Sequence, residues 1–180
     1  MNNLRLLKAS ISQTLMLLSV LLFLFISPSA FSETKGFEDF KGKPQVLENY
    51  LGKGKWLVVM IWASDCHICN REAHQYVDFH LVHSDTDATV LGISVDGKSR
   101  KKAAEKFIQK HSVDFPNLIA EPEFVSNLYK GYTGQHFAGT PSFLIFSPKG
   151  ELKAAQAGAV PTSLIEDFIK KNSSKNVVGK

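Results

Sequence analysis

The stretch WLVVMIWASDCHIC, residues 56–69, predicts a buried strand that passes directly into a helix. Its first seven residues are apolar and rich in strand formers, without the polar alternation of a strand that has one wet face. Such a run is typical of a central strand that is covered on both sides. After it, residues 67–83 contain no Gly or Pro, and apolar residues recur from Cys69 onward at helical spacing. We therefore expect Cys66 to lie at the first turn of a helix that begins where the strand ends.

The elements that follow alternate between strands and helices. Residues 89–95 predict a second buried strand, and a helix follows it. Further on, residues 142–147 and 151–157 flank a Pro-Lys-Gly turn and predict a β-hairpin, after which a closing helix runs to residue 171. Alternation of this kind builds a sheet with helices on both faces. We expect an α/β fold, a three-layer sandwich with a mixed central sheet.

Residues 1–32 have the pattern of a secretory signal peptide. A short positive region precedes the apolar run 15–26, and the small residues Ala30 and Ser32 stand ahead of a cleavage point. The alternative is an uncleaved membrane anchor, because the uncharged stretch 9–32 reaches the length of about 20 residues that a bilayer span requires. Either way the domain is delivered across a membrane, and we expect a periplasmic or other extracytoplasmic location.

The rest of the chain divides into three parts: a lead-in segment over residues 33–55, one folded domain over 56–171, and a flexible tail over 172–180. The chain of 180 residues is 44% hydrophobic and 21% charged, which is the composition of a globular protein. Its formal net charge of +4 falls to about +2 without the two cations of the leader, too little to indicate a nucleic-acid partner. The basic run 98–102 opens a predicted helix, and we interpret it as a solvated helix face.

The chain has two cysteines, Cys66 and Cys69, and their spacing indicates redox chemistry. A structural disulfide stabilises a fold by closing a loop, so a bridge this short would contribute little. A structural zinc site needs two more ligands at similar spacing, and haem attachment needs His after the second cysteine, where Asn70 stands. A helix N-terminus favours the thiolate, which is the reacting form, and a protonated His67 would act in the same direction. We expect Cys66 to be the nucleophile and Cys69 the resolving thiol, with no cofactor beyond this redox-active pair.

The residues around the pair resemble the active-site signature of the thioredoxin superfamily: a strand, Trp62-Ala63, two further residues and the redox pair. The run Gly139-Thr140-Pro141 before a strand is similar to the second hallmark of that superfamily, a loop with a cis proline. The additional strand and helix within residues 89–129, and the pattern Cys-x-x-Cys-x-x-Glu that ends at Glu72, resemble the TlpA/ResA-like branch. The resemblance covers residues 37–171, and it identifies 56–171 as a thioredoxin-like domain.

The resemblance implies roles for particular residues and an activity for the chain. Cys66 and Cys69 would exchange thiols and disulfides, Glu72 would modulate the thiols as an acid, and Pro141 would be the cis proline beside the sulfurs. The substrate-contacting residues that it implies are Thr140, Trp62 and His67. The implied function is that of an exported thiol–disulfide oxidoreductase, with reduction favoured over oxidation. Its partners would be exported thiol or disulfide proteins, apocytochrome c among them, and a membrane electron donor or acceptor that recycles the pair.

Two positions depart from the family pattern. Met60 stands six residues before the first cysteine, where classical thioredoxins hold a buried acid, and Glu72 is the candidate replacement. Asp65 directly precedes Cys66, and a carboxylate beside a thiol opposes its ionisation while His67 favours it. The sequence leaves the net effect of these two neighbours open, and with it the redox direction.

The competing interpretation is a copper(I)-binding protein that holds the metal between the two cysteine thiolates, because soft ligands suit that ion. Copper-delivering relatives of the fold add a distant histidine, for which His136, close to the predicted cis-proline loop, is the candidate. They separate their cysteines by three residues, whereas this chain separates them by two.

Overall fold

The computed structural model describes residues 36–175, and within them it contains seven strands and four α-helices. The strands are β1 (Phe37–Asp39), β2 (Pro44–Gln45), β3 (Trp56–Trp62), β4 (Ala88–Ser94), β5 (Asn117–Ile119), β6 (Ser142–Phe146) and β7 (Leu152–Ala157). The helices are α1 (His67–His83), α2 (Lys101–Lys110), α3 (Pro122–Thr133) and α4 (Thr162–Lys175). Two short 3-10 helices, Leu47–Asn49 and Lys98–Arg100, lie between these elements.

The seven strands form one mixed sheet in the order β2-β1-β5-β4-β3-β6-β7. Strands β3, β4 and β5 run parallel to their neighbours in this group, and the outer strands pair antiparallel. All seven residues of β3 are buried, as expected for a strand inside the sheet that has helices on both faces. The predicted thioredoxin-like three-layer α/β sandwich is confirmed.

Alternate residues of β3 belong to two separate halves of the core. Val58 and Met60 lie in a cluster with residues of α1, α2 and α4. Val59 and Ile61 lie in a second cluster with residues of α3 and of the neighbouring strands. Because the strand buries both of its faces, its sequence is apolar without interruption.

The ends of the domain differ from the sequence prediction. The lead-in segment 33–55 contributes β1 and β2 to the sheet, and Glu38 of β1 pairs with Ile119 of β5. These strands of three and two residues are too short to show a readable period in the sequence. At the other end, α4 continues past the predicted limit at residue 171 to Lys175.

The predicted signal peptide at residues 1–32 lies outside the described residues, as do residues 176–180 of the predicted tail. Between residues 36 and 175, no helix combines the length and the apolar character needed to cross a bilayer.

Three loops meet at one edge of the sheet. In the parallel ladder Trp62, the last residue of β3, pairs with Ser94, the last residue of β4. Strand β6 begins at Ser142, which lies opposite Ile61. The loops that follow β3 and β4 and the loop that precedes β6 therefore share that edge, which is where open α/β sheets place their sites.

Candidate active site

The two cysteines form a disulfide at the N-terminus of α1. Cys66 is the N-cap residue, Cys69 lies one turn inside the helix, and their Cα atoms are 5.2 Å apart. Cys66 is half-buried, whereas 0% of the surface of Cys69 is exposed. The predicted placement of Cys66 at the first turn is confirmed. The pair presents one sulfur toward solvent and keeps the other behind it.

The N-cap position favours the Cys66 thiolate in the reduced protein. The first backbone N–H groups of a helix have no partner within the helix, and the helix dipole is positive at this end. The sulfur of Cys66 already accepts one of these groups, from the backbone N–H of Cys69 at 3.0 Å. Because the thiolate is the attacking species, this geometry suits Cys66 as the nucleophile and Cys69 as the thiol that resolves.

The carboxylate directly before the nucleophile is paired with a cation. Arg100 Nη1 donates a hydrogen bond to Asp65 Oδ2 at 2.7 Å. This hydrogen bond, helped by the positive charge of Arg100, holds the pKa of the Asp65 carboxyl below its ordinary value against the opposing effect of burial. Arg100, one of the basic residues interpreted from the sequence as a solvated helix face, therefore contacts the active-site loop from the 3-10 helix Lys98–Arg100.

A buried carboxylate, Asp96, lies beside the same loop, and its side chain is only 1% exposed. Its Oδ2 accepts the Ser64 backbone N–H at 2.8 Å and the Ser94 hydroxyl at 2.9 Å. Its Oδ1 accepts the Ser64 hydroxyl at 2.8 Å and forms an ion pair with Arg100 Nε at 3.2 Å. Three hydrogen-bond donors and one cation therefore converge on one buried carboxylate. Sequence reasoning missed Asp96, although its position at the carboxyl end of a predicted parallel strand was a usable signal.

Asn70 holds the loop from its other side. Its Nδ2 donates to the backbone oxygens of Ser64 at 2.9 Å and of Cys66 at 3.1 Å. Its Oδ1 accepts from Lys110 Nζ at 3.1 Å and lies 3.0 Å from His111 Nε2. Burial, together with the nearby charges of Lys110 and a second histidine, keeps the pKa of His111 below its ordinary value. Asn70 thereby joins the active-site loop to the end of α2.

The Thr140–Pro141 peptide bond is cis, as the resemblance predicts. Pro141 is buried and Thr140 is half-buried, and the Ser142 hydroxyl donates to the Gly139 oxygen at 2.6 Å. Since β6 starts immediately afterwards beside β3, this loop lies at the same sheet edge as Cys66.

Glu72 lies on α1 one turn beyond Cys69, and its side chain is 17% exposed. Its Oε1 is 3.5 Å from Arg71 Nη2, and its Oε2 is buried without a hydrogen-bond partner. Burial and, secondarily, the negative charge of Glu72 raise the pKa of Tyr76, whose hydroxyl donates to the Val160 oxygen at 2.5 Å. A buried carboxylate oxygen with no partner is a candidate proton acceptor close to the resolving thiol.

Trp62, which was expected to contact the substrate, lies inside the core behind the cysteine pair. The residue is 1% exposed, its ring stacks on Phe107 with centroids 4.2 Å apart, and its Nε1 donates to Asn117 Oδ1 at 3.0 Å. Trp62 is therefore a packing residue behind the site. His67, by contrast, is exposed as the first residue of α1, which leaves it accessible to a bound partner.

The residues weighed for metal binding are not assembled into a site in the part of the chain that the structure describes. His136 is exposed in the loop after α3. Among residues 36–175, no group of three or more His, Cys, Asp or Glu side chains is arranged to hold a metal ion. Met60, at the position where classical thioredoxins hold a buried acid, is 2% exposed and belongs to the same core cluster as Cys69.

Comparison with known proteins identifies the family of this chain. The profile of the AhpC/TSA family matches residues 29–155, which is more than half of the chain. No curated protein sequence matches the chain.

Solved structures of low sequence identity share the fold. The thioredoxin domain of a thiol-disulfide oxidoreductase from Bacteroides vulgatus has a TM-score of 0.59 and 21% identity, over 75% of this chain and 94% of that one. A secreted disulfide oxidoreductase of Mycobacterium tuberculosis, described as homologous to E. coli DsbE, has a TM-score of 0.54 and 20% identity, over 70% of this chain and 87% of that one. StoA from Bacillus subtilis has a TM-score of 0.55 and 20% identity, over 74% of this chain and 96% of that one.

Proposed function

This chain belongs to the AhpC/TSA family and has a thioredoxin-like fold, and from that premise we propose that it is a thiol–disulfide oxidoreductase that reduces disulfides in exported proteins. The observation that carries the proposal is the Cys66–Cys69 disulfide, with the half-buried Cys66 as helix N-cap and Cys69 fully buried behind it. A disulfide that closes so short a loop contributes little to stability, so its value lies in exchange.

The reaction begins with the reduced dithiol. The Cys66 thiolate attacks one sulfur of the substrate disulfide, that S–S bond breaks, and the leaving sulfur takes up a proton as a substrate thiol. Cys69 then loses its proton and attacks the Cys66 sulfur, which releases the second substrate sulfur and forms the Cys66–Cys69 disulfide. Two electrons pass from the protein to the substrate. A dithiol donor must return them, and we assign that role to a membrane electron donor.

Glu72 is suited to the second step. Its unpaired, buried Oε2 lies one turn from Cys69 and can accept the proton that Cys69 loses. A carboxylate charge in this position also raises the pKa of a neighbouring thiol. A less stable thiolate shifts the pair toward the disulfide form, so Glu72 supports the reducing direction.

The loop at Pro141 is the proposed docking site for the substrate chain. It shares the sheet edge with Cys66, and Thr140 is half-buried beside it. Exposed His67 lies next to the nucleophile and would contact the bound segment from the opposite side. Exported thiol proteins, apocytochrome c among them, are the proposed substrates, in line with the TlpA/ResA-like resemblance. An extracytoplasmic location is supported by the secreted neighbour from Mycobacterium tuberculosis.

The proposal is tested by trapping the intermediate. A Cys69→Ala variant should accumulate mixed disulfides with exported proteins through Cys66, because the resolving step is removed. Wild-type protein should catalyse the reduction of insulin by dithiothreitol. Cys66→Ala should neither reduce insulin nor form mixed disulfides. If Cys69→Ala traps no partner and the wild type leaves insulin unreduced, the exchange function is wrong.

The direction is tested separately by the reduction potential of the pair, measured by equilibration with glutathione or dithiothreitol. A value near that of reducing thioredoxins, about −270 mV, is expected for a reductase. A value near that of a strong oxidant, about −120 mV, would contradict the reducing direction and leave the exchange chemistry intact.

A further inference from the structure

Two residues from outside the Cys-x-x-Cys helix grip the short link between β3 and the nucleophile. Asp96, from the end of β4, accepts both the backbone N–H and the hydroxyl of Ser64. Arg100 bonds to Asp96 through Nε, to the Ser64 hydroxyl through Nη2 at 3.1 Å, and to Asp65 through Nη1. One guanidinium therefore joins a buried carboxylate, the loop and the residue that precedes Cys66.

From this geometry we infer that Arg100, anchored by Asp96, is a positioning residue for the nucleophile: it fixes the Ser64–Asp65 link and neutralises the Asp65 carboxylate, so that the Cys66 thiolate forms beside a paired charge. The inference rests on the proposed function, because it concerns the same nucleophile. Its readout is the ionisation of Cys66, which can be measured whether or not a physiological substrate is known.

Asp96 and Arg100 differ in burial and therefore in role. The Asp96 side chain is 1% exposed, and packing, three hydrogen bonds and the ion pair with Arg100 fix its position. The Arg100 side chain is 46% exposed, and that of Asp65 is 63% exposed. An exposed pair contributes little to stability, since water screens it. The pair can still affect the Cys66 thiolate while contributing little to the free energy of folding, because one charge near a sulfur is enough to shift its ionisation.

The raised pKa of Arg100 and the lowered pKa of Asp65 agree with this pairing, and in both cases the hydrogen bond between them is the largest cause. Without Arg100, the ionised Asp65 would stand unpaired next to the thiolate. Without Asp65, the guanidinium would be an unpaired cation at the same place. Loss of the Arg100 side chain and loss of the Asp65 side chain should therefore shift the pKa of Cys66 in opposite directions.

Other charged groups reach the nucleophile from the elements packed around it. His67 and Glu72 lie on α1, and Lys110 and His111 approach the loop through Asn70. They are identical in every variant of the experiment below, so differences between variants report the Asp65–Arg100 pair.

The experiment titrates Cys66 in the reduced protein, by the ultraviolet absorbance of the thiolate and by the rate of alkylation with iodoacetamide across pH. Arg100→Ala should raise the apparent pKa of Cys66 by about one unit, and slow alkylation near neutral pH about tenfold. Asp65→Asn should lower the apparent pKa by about half a unit. The double variant Arg100→Ala/Asp65→Asn should return close to the wild type, because both charges are gone. Lys102→Ala, the loss of an exposed cation two residues from Arg100 on α2, is the matched control and should leave the titration unchanged.

Three results would overturn the inference. The first is an Arg100→Ala titration that coincides with that of Lys102→Ala. The second is an Asp65→Asn change that raises the apparent pKa of Cys66 or leaves it unchanged, a readout that stands on its own if Arg100→Ala fails to fold. The third is a double variant in which the apparent pKa of Cys66 stays as high as in Arg100→Ala. That result would mean that Arg100 acts through structure alone, because a structural effect would persist after the Asp65 charge is removed. None of these results bears on mixed-disulfide trapping, so the proposed function is judged separately.

Discussion

Both ends of β3 carry a buried tryptophan whose ring nitrogen has a partner, but the two ends have different surroundings. At the packing end, which comprises Trp56, Phe168 and Ser173, the ring of Trp56 meets that of Phe168 edge-on at 5.9 Å and its Nε1 donates to Ser173 Oγ at 2.9 Å. At the thiol end, which comprises residues 62–70, Trp62 stacks on an aromatic ring but the chain then turns polar.

The polar residues of the thiol end are held by long-range hydrogen bonds. Asp96 and Arg100 bind Ser64 and Asp65, and Asn70 ties the loop to the end of α2. At the packing end, Trp56 packs against the ring of Phe168 and has one hydrogen bond, to Ser173. From this contrast we expect stability and reactivity to be separated along one strand. Changes at the packing end should affect folding, and changes at the thiol end should affect chemistry.

The largest expected effect comes from removing the nucleophile. Cys66→Ser should abolish insulin reduction, because no thiolate remains at the helix N-terminus. Loss of a disulfide with a sequence separation of 3 should lower the free energy of unfolding by no more than about 2 kcal/mol. Turnover assays and urea unfolding measure the two quantities. A destabilisation well above that limit would show that the thiol end also carries much of the stability.

The reverse pattern is expected at the packing end. Trp56→Ala should lower the free energy of unfolding by about 3–5 kcal/mol, because it empties a large volume in the core. Trp56→Phe is the matched control: it keeps a ring but loses the Ser173 hydrogen bond, at a cost nearer to about 1 kcal/mol. In folded Trp56→Ala protein, the alkylation rate of Cys66 should equal that of the wild type. A changed rate would break the separation between the two ends.

A smaller effect is expected for the proposed proton acceptor. Glu72→Gln should reduce turnover about a hundredfold, the low end of what general acid–base groups supply, while attack by Cys66 is retained. Single-turnover kinetics that resolve formation and decay of the mixed disulfide test this, since decay alone should slow. Glu105→Gln, a change on α2 away from the cysteine helix, is the control. Equal slowing of both steps would argue against a role in resolution.

The smallest expected effect is a pH dependence of stability near the packing end. The Val90 N–H donates to His80 Nδ1 at 3.1 Å, and burial keeps the pKa of His80 below its ordinary value of 6.5, although two nearby aspartates oppose this. The unfolded chain therefore binds the proton more readily. The stability that neutral His80 contributes is fully present above the pKa of His80 in the unfolded chain. It is lost as the pH falls through that value toward the pKa of His80 in the folded protein.

In the wild type, the urea concentration at the unfolding midpoint should therefore be higher at about pH 7.5 than at about pH 5.5. In His80→Gln this difference should be smaller. His136→Gln, in an exposed loop, should keep the wild-type difference. An unchanged difference in His80→Gln would mean that another group is responsible.

Much of the fold could be predicted because its signals are local. The continuous apolar run of β3, the helix of residues 67–83 and the hairpin after Ser142 are each read from neighbouring residues, and each is found in the structure. Strands β1 and β2 were missed because strands of three and two residues carry no measurable period. The burial of Trp62 could not be predicted, because the signature gives the position of a residue in the chain and says nothing about what covers it.

The sequence alone determined where the two sulfurs lie in the fold, since a strand, a turn and a helix cap are set within about one dozen consecutive residues. Only the tertiary structure decided the electrostatic setting of Cys66. Arg100 stands 35 residues from Asp65, and Asp96 stands 32 residues from Ser64. Such pairs are created by the parallel pairing of β3 with β4, which brings the ends of two distant segments to one edge, and no local pattern records which side chains will meet there.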